Sequence, residues 1–451
     1  MCCGLKLGGI GLLISLLLGP CCPDQPPVAV TLAVAPATIV EDGGTATLTA
    51  TLAAAVDEDW TLHLEAQQTP TTSPAGFTLS SADIMVTAGQ TAGTATVTAG
   101  TFPDEVESLS VVFRITRITT PRCSWDVNIP AGALTIIHRG SLQVTLLPAL
   151  AVGSGAQWRV DGGEWQNSDA IVRHLTAGAH TVDYKAAAHF VEPASESVTI
   201  TDGVLTQITR TYTPMLTVLI EPATAITGGA QWSLTAGPPG FDNSMHNSGD
   251  EIPAPPGDYT VSLTDVAGFV TPRNNMVTIT DSPATAIETY TPFLTVLIEP
   301  GQAVTWGAQW FLVSGPPGHD PTPHHSGDSV PAPPGDYVIQ FTPVTAYIKP
   351  DNIPVTITDS PHTETGTYTP TLQVLIEPEG ARNDGAQWFL TAGPPGFDTN
   401  LHDSGDTVPA PPGNYNIRFT QLLDWQKPAD IPVTITDVPA TETGLYLQIP
   451  E

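Results

Sequence analysis

Four copies of Gly-Ala-Gln-Trp, ending at Trp158, Trp232, Trp310 and Trp388, dictate how this 451-residue chain is organised. The tryptophans recur at a nearly even step, a period that marks a tandem array of small units rather than one large domain. Other segments keep the same step. Leu-Ile-Glu-Pro ends at Pro222, Pro300 and Pro378, Pro-Ala-Pro-Pro-Gly at Gly257, Gly335 and Gly413, and Tyr-Thr-Pro at Pro214, Pro292 and Pro370. Val-Thr-Ile-Thr-Asp ends at Asp202, Asp281, Asp359 and Asp437. The repeats therefore run over 141–214, 215–292, 293–370 and 371–450, and residues 24–140 stand apart as a domain without the repeat.

Each unit reads as strands. Tyr259-Thr260-Val261-Ser262-Leu263 and Val277-Thr278-Ile279-Thr280 alternate apolar with polar, the period of a half-buried strand. With 40 Gly and 45 Pro, turn residues interrupt the chain at short intervals, and no window offers a helical stripe with caps. Six or seven short strands in about 78 residues predict a small sandwich of two antiparallel sheets. In residues 24–140, strands are expected over 28–35, 45–52, 60–66, 84–87, 94–98 and 109–115. The fold class is all-β: tandem immunoglobulin-like β-sandwich domains arranged as a rod. At about 3.3 Å per residue, five such domains end to end give a length on the order of 150 Å.

Composition excludes several partners. Lys plus Arg is 14 against 45 Asp plus Glu, a net charge of −31. Nucleic acid is excluded because phosphate binding needs clustered cations, and the same balance opposes an electrostatic grip on anionic lipid. Of the five cysteines, Cys2, Cys3, Cys21 and Cys22 crowd the N-terminus and only Cys123 lies beyond it. The apolar run 7–18 after Lys6 is too short to span a bilayer and reads as the core of a secretory signal over 1–22. Leu18-Gly19-Pro20-Cys21 resembles a bacterial lipoprotein signal, which implies export and a lipid anchor on Cys21, with Pro20 departing from the pattern. Cys123 is then the one cysteine away from the terminus, so no disulfide framework is expected.

Two further resemblances bear on the domains. Ile39-Val40-Glu41-Asp42-Gly43-Gly44, Ala88-Gly89-Gln90-Thr91 and Asp104-Glu105-Val106-Glu107, each beside a strand, resemble the Calx-β family of immunoglobulin-like sandwiches over about 28–115. Repeat 1 resembles bacterial PEGA-like extracellular repeats through Gly155-Ala156-Gln157-Trp158-Arg159-Val160-Asp161-Gly162-Gly163-Glu164-Trp165 and Leu175-Thr176-Ala177-Gly178. That resemblance implies modules of envelope or secreted proteins with no shared catalysis. Asp161-Gly162-Gly163 is a hairpin turn by its own chemistry. Repeats 2 to 4 enlarge this hairpin: more chain separates Trp232 from Ser248 than Trp158 from Ser168.

The enlarged hairpins are the candidate binding loops. They hold Phe241, Asp242, His246 and Asp250, then His319, Asp320, His324 and Asp328, then Phe397, Asp398, His402 and Asp406. Loops on a rigid scaffold collect binding residues, and three copies would add avidity. A His with two Asp has the donors for a divalent metal, although Asp and Gly also make turns and leave such a His exposed. The repeated tryptophans sit two residues from Leu234, Leu312 and Leu390, which places them in the core rather than on a sugar-stacking surface. In the first domain, resemblance to Ca²⁺-binding Calx-β domains makes Glu41, Asp42, Asp104, Glu105 and Glu107 candidate Ca²⁺ ligands, the only metal cofactor expected. No His-Glu-x-x-His, Gly-x-Ser-x-Gly or phosphate loop is present, so no enzyme is expected. The function read from the sequence is a non-enzymatic, exported cell-envelope protein, a structural or adhesive spacer. The alternative is a multivalent module array that binds a cell-surface glycan or protein through the enlarged hairpins.

Overall fold

In the computed structural model, residues 22–72 and 75–450 are described; residues 1–21 of the expected signal segment, Cys21 among them, lie outside them. The chain divides into two compact units, one ending at Thr213 and the other starting at Pro214. Five separate hydrophobic cores lie along it, one in the first module and one in each repeat. The all-β expectation holds: described helix is limited to four single turns.

The first module is a sandwich. One sheet orders Val30–Ala35, Thr45–Leu52, Ala92–Ala99 and Phe77–Leu79, and the other orders Thr38–Val40, Ser124–Ile137, Ser108–Thr119, Trp60–Thr69 and Asp83–Val86. Leu48, Leu62, Val97, Phe113 and Leu134 fill the space between them and have no exposed surface. The strand Ser124–Ile137 was not expected. Pro130 and Gly132 interrupt its pattern, and its pairing with Ser108–Thr119 shifts register twice, so the period-2 signal breaks where bulges change which face a residue occupies.

Cys22 is disulfide-bonded to Cys123 across a separation of 101 residues, which corrects the expectation of no internal bridge. The neighbouring Trp125 Nε1 donates to the Pro23 carbonyl at 2.8 Å, and its ring packs 5.9 Å from Trp60. The segment after Cys22 is thereby fastened to the edge of the sandwich.

Each repeat opens with a long strand that lies between two partners. In repeat 2, Thr213–Glu221 pairs antiparallel with Glu251–Pro253 and parallel with Ala284–Thr289. The facing sheet orders Trp232–Ala236, Gly257–Leu263 and Asn275–Ile279. Alternate residues Leu216, Val218 and Ile220 point inward and are buried, as the period-2 pattern requires. The proline that ends this strand starts one helical turn, Ala223–Thr227. The same turn recurs at Ala149–Gly153, Gly301–Thr305 and Glu379–Asn383, where only strands were expected. Proline cannot continue the ladder; its carbonyl accepts the N–H of Ala151, Ala225, Ala303 or Ala381. Each of these alanines is fully buried. A single turn is too short for a periodic stripe, which is why it is invisible to pattern reading.

The tyrosine of each Tyr-Thr-Pro closes its unit. Tyr212, Tyr290 and Tyr368 are buried, and their hydroxyls donate to the carbonyls of Lys185, Thr264 and Thr342. Tyr446 does the same to Thr420 in the last repeat. Burial pushes the Tyr212 phenol up to about 12.

Repeat 1 keeps the short hairpin, and Asp161 holds it. Its carboxylate accepts the Thr181 amide at 2.9 Å and His180 Nδ1 at 2.6 Å, while His180 Nε2 donates to the Thr176 carbonyl at 2.7 Å. With both ring nitrogens donating, the imidazolium is favoured. The Asp161 carboxylate is the main cause that raises the His180 pKa, and His180 in turn lowers that of Asp161. The pair's contribution falls as pH drops through Asp161's lowered range. It also falls as pH rises through His180's raised range, above the ordinary value near 6.5. We expect scanning calorimetry of Asp161→Asn to show a destabilised repeat 1 at pH 5.5, with a difference from wild type that shrinks at pH 9. An equal difference at both pH values would refute the ion pair.

Candidate functional site

The four tryptophans are fully buried, so they serve the core and stack on no ligand. Trp158, Trp232, Trp310 and Trp388 each donate Nε1–H to a hairpin carbonyl, of Asn167, Asn247, His325 and Asp403. The residue after each carbonyl is a serine whose hydroxyl accepts an amide of the opening strand: Leu146, Ile220, Ile298 and Ile376. The short and enlarged hairpins therefore end on the same anchor, and the added chain forms an excursion between fixed points.

The enlarged hairpins turn their polar side chains on themselves. His246, His324 and His402 lie 4.7 Å from the Trp232, Trp310 and Trp388 rings, and only 13–15% of each side chain is exposed. Their backbones bridge to the same tryptophans. This corrects the reading of these histidines as exposed. Asp242, Asp320 and Asp398 lie 3.3, 3.5 and 3.3 Å from the histidine Nε2. Asp242 accepts the Ser244 hydroxyl and amide, and Asp320 those of Thr322, bonds that hold both carboxyls below their usual range. Asp398 accepts the Asn400 amide.

Asp250, Asp328 and Asp406 accept the amides of Asn247, His325 and Asp403 at 2.7–2.8 Å. Those bonds turn them into their own loop, and the His with two Asp does not come together as a three-ligand cluster among the described residues. Phe241 and Phe397 pack against their cores, and His319 lies 3.2 Å from the Pro316 carbonyl through Nδ1.

The acidic residues of the first module meet repeat 1. Glu41 is buried; Oε1 accepts the Arg139 amide at 3.0 Å and lies 2.9 Å from His174 Nδ1 and 3.1 Å from His138 Nδ1. Burial opposes its charge, but the Arg139 amide and the two imidazoles outweigh burial and hold its carboxyl below the usual range. Asp42 pairs with Arg139 at 3.3 Å and Asp104 with Arg173 at 3.2 Å. Asp104 and Glu107 line a cleft of about 180 Å³ with His138, Arg139, Arg173 and His174; Glu105 is exposed in the adjoining turn. Ca²⁺ needs several converging oxygens. Here arginines take up two of the proposed carboxylates and nitrogen donors face the third, so the set as expected does not form a Ca²⁺ cage.

His138 and His174 were missed in the sequence. Their partner Glu41 lies far upstream, at a sequence separation of 133 from His174, beyond any spacing rule. A signal was nevertheless present: His138-Arg139 and Arg173-His174 are the only adjacent Arg/His pairs in a strongly acidic chain. Larger clefts recur at two repeat junctions. One of about 540 Å³ lies among Glu221, Pro222, Tyr290, Pro333 and Asp359, and one of about 450 Å³ among the equivalent Glu299, Pro300, Tyr368, Pro411 and Asp437.

No family model matches the chain, and no curated protein matches it. Among solved structures, similarity is found to the Bacillus anthracis TIE protein, at 14% identity over 75% of this chain and 74% of that one, with a TM-score of 0.23. A Salmonella enterica SafA pilin in complex with the SafB chaperone is similar at 12% identity, covering 55% and 96%, with a TM-score of 0.18. The periplasmic chaperone SfaE gives 8% identity, 57% and 100% coverage, and the same TM-score. These scores are too low for a shared overall arrangement.

Proposed function

We propose that this protein is a non-enzymatic spacer of the cell envelope, exported and lipid-anchored through Cys21, whose PEGA-like and Calx-β-like modules serve structure or adhesion. The observation that carries the reading is the state of the enlarged hairpins. In all three copies the second Asp accepts an amide of its own loop and the histidine ring packs on the buried tryptophan, and in two copies the Phe packs on its own core, which is what a loop built to hold its shape requires. Each repeat also carries a complete core of its own, so modules can be added in series without redesign.

The test is binding of the full chain to intact cells and to a broad glycan panel, beside a variant carrying Asp242→Ala, Asp320→Ala and Asp398→Ala. A spacer shows no difference between the two. Saturable binding by wild type that the triple variant loses would replace this reading with a multivalent recognition array.

A further inference from the structure

The cluster at Glu41 is a built site for chemistry that the spacer reading does not use. Glu41, His138 and His174 each offer a ligand atom, and these atoms lie within 4.8 Å of one another, the only such set among the described residues. Tetrahedral Zn²⁺, with bonds of about 2.0–2.2 Å, separates neighbouring ligand atoms by about 3.3 Å. The Glu41–His174 and Glu41–His138 separations of 2.9 and 3.1 Å need only a few tenths of an ångström of opening.

The outer partners orient the rings. His138 Nε2 lies 2.7 Å from the Val106 carbonyl, which can only accept, so Nε2 carries a proton. His174 Nε2 lies 3.5 Å from Asp104 Oδ1. An oxygen acceptor on the far nitrogen is the arrangement that fixes a metal-ligating imidazole and leaves the near nitrogen as a lone pair; His138 has it, whereas the His174–Asp104 approach is longer than such a bond. In the neutral His138 ring that lone pair faces Glu41 Oε1 at 3.1 Å, a repulsive contact that a cation between them makes attractive. His138 Nδ1 has no partner of hydrogen-bonding geometry among the described residues.

A second, independent observation concerns Glu41 itself. Its side chain is fully buried, and Oε2 has no hydrogen-bond partner among the described residues, a state that is costly for a buried carboxylate. Local charge agrees. Glu41, Asp42, Asp104 and Glu107 set four negative charges against Arg139 and Arg173, an excess of two that a dication neutralises. The backbone also brings His174 inward. It sits at φ 60° where the pairing of Ile171–Leu175 with Gly140–Leu147 shifts register, and such a bulge re-aims a side chain.

We propose that Glu41, His138 and His174 bind a borderline divalent transition-metal ion of the Zn²⁺ class, with water completing the shell, and that the ion clasps the first module to repeat 1. Imidazole donors favour this class over Ca²⁺.

The test uses the full chain, oxidised, thiol-blocked and stripped by chelator. It is titrated calorimetrically with Zn²⁺ and separately followed by visible absorption with Co²⁺ as a spectroscopic substitute. We expect one Zn²⁺ site that His174→Ala weakens by more than the roughly 10–100-fold typical of losing an outer-shell partner. The Co²⁺ band should change with it, and Ca²⁺ should give no such signal. His174 is about half exposed, so its replacement should fold; His174→Asn provides a second variant, and circular dichroism checks both. Absence of saturable Zn²⁺ binding by wild type would overturn the proposal. So would Zn²⁺ binding that both His174 variants retain unchanged, since the cluster would then be a metal-free ion-pair network.

Discussion

Replacing Trp310 by alanine is expected to cost about 3–5 kcal/mol, the range for truncating a fully buried large aromatic. Trp310 has no exposed surface. Its loss removes the Nε1–H bond to the His325 carbonyl, and it strips the ring on which His324 packs at 4.7 Å. The hairpin of repeat 3 would then lose both ring contact and anchor. For a domain of this size each kcal/mol shifts the midpoint by about 4–8 °C, so the transition of repeat 3 should fall by roughly 12 °C or more. Scanning calorimetry of the full chain reads this directly. Trp306→Ala is the control: Trp306 is 46% exposed and packs edge-to-face with Tyr347, so its loss should shift the same transition little. Equal shifts for the two variants would contradict the core role assigned to the repeated tryptophan.

The second large effect belongs to the disulfide. Cys22–Cys123 closes a loop of about a hundred residues, for which chain entropy alone gives about 4.7 kcal/mol, although measured bridges contribute about 2–4 kcal/mol. Cys123→Ser should destabilise the first module by about 2–4 kcal/mol and leave repeats 2 to 4 unchanged. Dithiothreitol should reproduce the shift in wild type and do nothing further to the variant. Insensitivity of wild type to the reductant would remove the bridge from the account of stability.

The repeating architecture is legible in the sequence because its signal is redundant. Trp, Gly-Pro and Tyr-Thr-Pro recur in register, and alternation along segments such as Leu216–Ile220 reveals which face is buried. The helical turns escape because one short turn after a proline carries no period. The disulfide escapes because Cys22 reads as part of the leader. At the hairpins the residues are identifiable but their state is not: proximity of His and Asp in sequence suggests an open site, whereas the tryptophan beneath draws His246, His324 and His402 inward. Glu41 is one of five acids the sequence marks in the first domain, but its partners come from the module border and from a bulge in repeat 1. No local rule joins residues so far apart; only the basic doublets at His138 and His174 hint at them.

The pairing of first and last strands bears on how the chain carries tension. Ser141–Leu147 runs parallel to Leu205–Thr211, and in repeat 2 the parallel register extends from Leu216↔Ala284 to Glu221↔Thr289; repeats 3 and 4 copy it. Pulling on a unit from its two ends then loads these ladder bonds in shear, so that many must fail together instead of unzipping one at a time. Ahead of the repeats, a force entering at Cys22 crosses the disulfide to Cys123 and continues along Ser124–Ile137. Residues 23–122 lie off that path, so the first module adds almost no extensible length, and any give under load must come from the parallel clamps behind it.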